Sequence, residues 1–338
     1  MKLLIKLSKY TTLLEAVFHK QRFKFILKAL FSYLQKSPEL KSLPILVQIE
    51  PTNHCNLKCS LCAIGQGELK RTPGNMDFNT FKLILDELEK TIFYLALYNL
   101  GEPFLNPEIF KMISYAKSKN IFVKLSTNGN FPSPETIKNI IDSGADEILI
   151  SLDCATPASY ANYKRSGDFK KVLENIRILT TSRDRLRKPH IVLQLLLMRE
   201  TENEISHFKK IAKDLKVDKI LLKKVRINSL HMPPRENYLP KNKKYIRSYY
   251  KNNFTKPSCM HPWISSVIFW DGTVAPCCFD MEGEYALGNI NDQKISVIWN
   301  SPQYIEFRQK LKENRQLSPL CEKCSIEGFS FYLKSLFT

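Results

Sequence analysis

The chain has 338 residues, enough for one large α/β domain with extensions or for two or three ordinary domains. With 43% hydrophobic and 11% aromatic residues against only 11 Gly and 18 Pro, it is neither disordered, collagenous nor low in complexity. Lys and Arg number 51 against 33 Asp and Glu, and the net charge of +18 would draw anionic lipid, nucleic acid or acidic proteins; the basic residues are scattered through helical segments, with no nucleic-acid motif among them.

Residues 1–44 place Leu3, Leu4, Leu7, Leu14, Val17 and Phe18, then Phe23, Ile26, Leu27, Leu30 and Leu34, at helical spacing, which predicts two helices closed by Pro38 and Pro44. Their polar faces carry Lys2, Lys6, Lys9, Lys20, Arg22, Lys24, Lys28 and Lys36 against Glu15 and Glu39. Such a stripe either packs on the main domain or docks on an anionic membrane. No apolar run reaches the roughly 18 residues needed to cross a bilayer, and Lys6 and Lys9 interrupt the opening stretch, unlike the core of a signal peptide. The expectation is a cytoplasmic protein, peripheral to a membrane if the helices dock.

From Ile45 onward short apolar runs alternate with helical patterns. Predicted strands are Ile45–Glu50, Tyr94–Tyr98, Ile121–Ser126, Glu147–Leu152, Ile191–Leu197 and Lys219–Lys223; the helices are Asn79–Lys90, Pro107–Lys119, Ser133–Asp142, Phe169–Thr181 and Asn203–Leu215. Six β/α units in series imply a parallel sheet, open or curved into a partial (β/α)6 barrel with its active face at the C-terminal strand ends. We therefore divide the chain into a helical extension (1–44), an α/β core (45–225), a Pro-, Asn- and Lys-rich connector (226–256) and a small C-terminal domain (257–338). The last contains a hairpin signal, Val267 to Trp270, Asp271-Gly272, then Thr273 and Val274, and an amphipathic helix from Pro302 to Lys312. It is too small for much core of its own, so a bound metal cluster would matter there.

Nine cysteines stand at 55, 59, 62, 154, 259, 277, 278, 321 and 324, an odd number gathered in two places, which argues against a disulfide framework and for metal ligation. After the first predicted strand, Cys55, Cys59 and Cys62 form C-x3-C-x2-C. Three thiolates at this spacing can curl round one cubane and leave its fourth iron open. Zinc would want a fourth protein ligand, and His54 beside Cys55 is poorly placed to supply it.

This loop, placed after strand one of a β/α series, resembles the signature of the radical S-adenosylmethionine (SAM) enzymes. The resemblance implies a [4Fe-4S] cluster on Cys55, Cys59 and Cys62, with SAM chelating the open iron through its amine and carboxylate. Reductive cleavage would then give methionine and a 5′-deoxyadenosyl radical that abstracts hydrogen from substrate, with electrons from a flavodoxin or ferredoxin. Further positions match: Gly101-Glu102-Pro103 is similar to the GGEP-type motif, with Leu100 in the place of the first glycine. Glu102 would accept a hydrogen bond from the SAM ammonium. Ser126 and Asn128, and Ser151 and Asp153, would contact ribose and cosubstrate at the ends of strands three and four; Arg165 would pair with the SAM carboxylate and Leu61 would lie against adenine.

Cys259, Cys277, Cys321 and Cys324 are spaced C-x17-C-x43-C-x2-C, and four thiolates could close round either zinc or an iron–sulfur cluster. The run Asp271 to Cys277, with Gly288-Asn289-Ile290 and Ile298-Trp299-Asn300-Ser301 downstream, resembles the SPASM or twitch extension of radical SAM enzymes, which implies an auxiliary [4Fe-4S] cluster. Full SPASM domains carry seven cysteines, so the shorter, single-cluster twitch form fits this chain better. Cys278 is the alternative to Cys277, since spacing does not separate adjacent thiols. Cys154 reads as a small buried hydrophobe. Enzymes similar to this one modify ribosomal peptides or oxidise small molecules. The rival class is a non-catalytic adaptor with zinc at both thiol groups and nucleic acid on its basic surface. Substrate-side candidates are Lys223, Arg226, Asn228 and His231.

Overall fold

The structure is a computed structural model and describes residues 11–183, 188–227, 235–247, 259–314, 317–322 and 324. Residues 11–18 are helical, and a kink with Lys20 and Gln21 at positive φ leads into helix α1 (Arg22–Leu34). The pair turns Leu13, Ala16, Arg22, Ala29 and Ser32 inward. Arg22 is fully buried, and among the described residues its guanidinium donates to backbone carbonyls, those of Ala16, Glu89, Lys119 and Asn120 at 2.8–3.1 Å.

Strands β1 (Leu46–Ile49), β2 (Tyr94–Leu97), β3 (Phe122–Thr127), β4 (Glu147–Asp153), β5 (His190–Leu197) and β6 (Lys219–Lys224) form within a residue or two of their expected positions. They lie in chain order, every pair parallel. Parallel neighbours require crossovers, supplied by α2 (Phe78–Leu88), α3 (Ile109–Ser118), α4 (Glu135–Asp142), α5 (Pro157–Tyr163) with α6 (Phe169–Ser182), and α7 (Ile205–Asp214). Helix α2 shows the pattern: Asp77 caps it by accepting from the Asn79 and Thr80 amides, and Phe81, Ile84, Leu85 and Leu88 form its buried stripe. Each such side chain contributes roughly 1.5–3 kcal/mol of burial. Helix α5 is one that the hydrophobic period does not predict; Pro157 sits in its first turn and Thr156 caps it by accepting from the Ser159 amide.

The C-terminal segment adds α8 (His261–Ile264), β7 (Ser265–Ile268), β8 (Thr273–Ala275), β9 (Gly288–Asn289), α9 (Ile295–Trp299) and α10 (Pro302–Glu313). The hairpin's first arm lies two residues earlier than expected, because β7 pairs parallel with β1 from Leu46↔Ser265 to Ile49↔Ile268. The sheet thus runs β6-β5-β4-β3-β2-β1-β7-β8-β9, unclosed, with the hairpin covering an edge of β1 that would otherwise be bare. Buried Arg308 of α10 closes this side, donating to the carbonyls of Pro262 (2.8 Å) and Pro38 (3.0 Å) and stacking on Trp299 and Tyr304. Among the described residues no helix is long and apolar enough to cross a membrane.

Candidate cluster and cosubstrate site

The loop that leaves β1 is held from several sides. Thr52 Oγ1 donates to the Gly74 carbonyl (2.8 Å), the Glu102 amide donates to the His54 carbonyl (2.8 Å), and the Lys58 and Ser60 amides donate to the carbonyls of Arg165 (2.9 Å) and Tyr163 (3.0 Å). Gly101, at φ +77°, crosses this loop so closely that a Cβ there would lie 2.5 Å from the Thr52 carbonyl oxygen. Gly101 thus fills the one position of the glycine-poor Leu100-Gly101-Glu102-Pro103 turn where a side chain cannot stand.

A cavity of about 230 Å³ opens at the C-terminal strand ends. Cys55, Cys59 and Cys62 line it together with Glu102, Ser126, Asn128, Ser151 and Asp153, so eight of the core positions singled out in the sequence meet there. Glu102 is 2% exposed and accepts from Thr127 Oγ1 (2.7 Å) and the Asn128 amide (2.8 Å). Burial pushes its carboxyl up to about 7, against the pull of those hydrogen bonds. Asp153 sits at φ +63°, where the β4–β5 register shifts, and is fixed by Gln194 Nε2 at 2.6 Å and Lys164 Nζ at 2.8 Å. A non-glycine residue held there is backbone strain kept at the cavity by a buried ion pair. Burial also pushes the Cys55 thiol up to about 11 and the Cys59 thiol to about 12, so only coordination would hold them as thiolates near neutral pH.

Two expected positions differ. Arg165 is exposed and gives the loop after β1 its backbone carbonyl; Lys164 is the buried cation in the cavity wall. Burial opposes its charge, but Asp153 and Cys59 hold its ammonium well above the ordinary lysine range. The end of α5, with Tyr160 and Tyr163 buried, sets which of the two adjacent cations faces inward. Likewise Leu61 is half-buried against the core outside the lining, and Leu57 takes the apolar place in the cavity wall. Of the substrate-side candidates, Lys223 lines the cavity and Arg226 stacks over Phe279 at 4.1 Å; Asn228 and His231 lie outside the described residues. Cys154 is fully buried in the core.

The second set converges as well. Cys259, Cys277, Cys321 and Cys324 line one enclosed cavity of about 20 Å³, while the neighbouring Cys278 packs against Val267, Phe269 and Ala275. His261, which sequence spacing did not single out, shares this cavity and is pushed down to about 4 by burial, hence neutral. Among the described residues no three His, Cys, Asp or Glu side chains are set to hold a single ion. Four thiols round one cavity suit a cubane, in which each thiolate binds its own iron.

The radical SAM superfamily model matches residues 49–212, and the SPASM model, an iron–sulfur cluster-binding domain, matches residues 259–325. The chain belongs to the radical SAM superfamily. This radical SAM enzyme is 27% identical, over 85% of its length and 89% of the relative's, to the tungsten-containing aldehyde ferredoxin oxidoreductase cofactor-modifying protein of Pyrococcus furiosus. It is 34% identical to the mycofactocin maturase of Mycobacterium ulcerans over 39% of this chain and 36% of that one. In fold it is similar to Streptococcus suis SuiB bound to S-adenosylmethionine, with a TM-score of 0.63 at 15% identity, covering 90% of this chain and 77% of that one. Its cofactors are the radical SAM [4Fe-4S] cluster, SAM and an auxiliary iron–sulfur cluster, and the thiol donor sets of the two cavities suit the two clusters.

Proposed function

We propose that Cys55, Cys59 and Cys62 hold the SAM-cleaving cluster and that Glu102, Ser126, Asn128, Ser151 and Asp153 position SAM, with Lys164 rather than Arg165 meeting its carboxylate. The observation that carries this reading is one cavity shared by three thiols and a buried carboxyl at the C-terminal strand ends. Held by Cys55, Cys59 and Cys62, the cluster would supply the electron for reductive cleavage of SAM and so for hydrogen abstraction from substrate. The chain's residues supply the rest: Glu102 accepts from the ammonium, Lys164 and Asp153 fix each other, and the surrounding wall limits water. Residues 45–225 form the catalytic core and 257–338 the auxiliary domain, in which Cys259, Cys277, Cys321 and Cys324 hold a single twitch-like cluster. The substrate is a peptide or a small molecule, the classes named in two further relatives, a PqqA peptide cyclase and a 2-deoxy-scyllo-inosamine dehydrogenase, and a flavodoxin or ferredoxin supplies electrons. The enzyme works in the cytoplasm, peripheral to a membrane.

Reconstituted anaerobically and given dithionite, the protein should convert SAM to 5′-deoxyadenosine and methionine, and Cys59→Ala should abolish this while remaining soluble. An intact, cluster-loaded protein that forms no 5′-deoxyadenosine, even with candidate substrates present, would sink the reading.

A further inference from the structure

The N-terminal helices bury one face and leave the other uncovered. On α1, Phe23, Leu27, Phe31 and Leu34 follow one another at i, i+4, i+8 and i+11, and Leu14 and Phe18 extend the apolar surface onto the preceding helix. Phe18, Leu27, Phe31 and Leu34 are each at least 60% exposed, and Leu14 is 54% exposed. Among the described residues, the remaining large exposed apolar side chains are dispersed over the rest of the chain. Single exposed leucines are ordinary, whereas a contiguous patch with three phenylalanines marks an interaction surface.

The charge beside the stripe names the partner. Lys24 and Lys28 form a parallel row one residue on from Phe23 and Leu27, and Lys36 follows past the helix end; all three are exposed, while Lys20 pairs with Glu89 of the core. Residues 11–36 contain a single carboxylate, Glu15. A protein partner would be expected to offer acidic side chains to this row and an apolar groove to the stripe. A bilayer with anionic headgroups offers both at once, and long lysine stems let their ammonium groups reach the headgroup plane while phenylalanine and leucine enter the acyl boundary. We propose that this face docks the enzyme on an anionic membrane surface, an inference that rests on the peripheral reading above and adds its face, its lipid charge and its orientation.

The orientation follows from Arg22. The carbonyls it holds, at Glu89, Lys119 and Asn120, lie in the turns that lead from α2 into β2 and from α3 into β3, so the start of α1 sits at the N-terminal strand ends. The cavity with Cys55, Cys59 and Cys62 lies at the opposite ends, beyond strands that span on the order of 20 Å. Docked through the stripe, the enzyme turns its cavity toward the aqueous side, and its substrate is a soluble molecule or a chain projecting from the membrane, not a lipid lying within it.

Co-sedimentation of the full-length, cluster-loaded protein with vesicles tests this. Binding to equal parts phosphatidylcholine and phosphatidylglycerol should exceed binding to phosphatidylcholine alone by roughly a hundredfold, as expected for three lysines near a charged surface. Leu27→Glu with Phe31→Glu should abolish binding while leaving thermal unfolding and SAM cleavage unchanged, because both side chains are exposed. Lys24→Glu with Lys28→Glu should cut the preference for anionic vesicles at least tenfold. Vesicle-bound enzyme should cleave soluble SAM as fast as free enzyme. Equal binding to both vesicle types would leave the peripheral reading standing and remove the anionic one. Undiminished binding by the Leu27, Phe31 double variant would assign docking to another face, and a dimer that this variant dissociates would assign the stripe to a second copy. Loss of SAM cleavage on docking would overturn the orientation.

Discussion

Glu102 shows how a single buried group ties stability to function. Its carboxyl stands at about 7 in the folded chain against an ordinary 4.5, so between those values the folded protein holds a proton that the unfolded chain has released. Its contribution to the stability of the cosubstrate-free protein should be complete below pH 4.5 and lost as pH rises through about 7, a decline of at most about 3 kcal/mol. Glu102→Gln should flatten that part of the pH–stability curve, as urea unfolding across the range would show. Glu102→Ala should weaken SAM binding by about 1.5 to 3 kcal/mol, the worth of one charged hydrogen bond. The adjacent cations give a second residue-scale test. Lys164→Met should weaken SAM binding in a calorimetric titration and leave Asp153 unpaired, whereas Arg165→Ala should leave affinity as it was. Equal losses in the two variants would contradict the inward placement of Lys164.

At the scale of elements, one buried guanidinium pins the start of α1 to the core. Arg22 satisfies four backbone carbonyls, three of them at the C-terminal ends of α2 and α3, where the helix dipoles favour a cation. Burial lowers its pKa to about 10, still charged near neutrality. Arg22→Ala would leave those carbonyls buried without partners and should cost on the order of 3 kcal/mol or more, read as a shift of the urea midpoint. Of the alternatives that sequence periodicity left for this segment, packing describes its covered face, and docking is the proposal for its exposed one. The period places apolar residues all round the helix, but only the position of the core decides that Ala29 is covered and Leu27 is not.

At the scale of the whole molecule, the two thiol sets stand on one continuous sheet. Hairpin β7–β8 pairs with β1, and the loop after β1 carries Cys55, Cys59 and Cys62 while the chain after β8 carries Cys277. Arg71 fastens the two regions, donating to both oxygens of buried Glu50 at 2.9 Å and to the Met281 carbonyl at 2.7 Å. The loaded protein should contain about eight irons if both clusters are cubanes, and about four after joint replacement of Cys55, Cys59 and Cys62. Cys277→Ala should lower second-cluster iron and Cys278→Ala should not; the reverse result would exchange their roles. Zinc without iron in the triple variant would remove the auxiliary cluster.

The sequence by itself determined what is local: six strands and the principal crossover helices from hydrophobic period, and two groups of thiols from spacing. Hydrophobic burial acts on each segment's own pattern, so those elements are legible before their partners are known. Only the tertiary structure decided which side of a segment faces a cavity and which distant segments meet. Lys164 and Arg165, Leu57 and Leu61, and Cys277 and Cys278 are near neighbours of similar chemistry, separated by the packing of α5, of the loop after β1 and of the hairpin. His261 joins the four thiols, and β7 joins β1, through contacts between residues far apart in the chain. Spacing carries no record of such contacts, because they form only when the whole sheet has assembled and each buried polar group has found its partner.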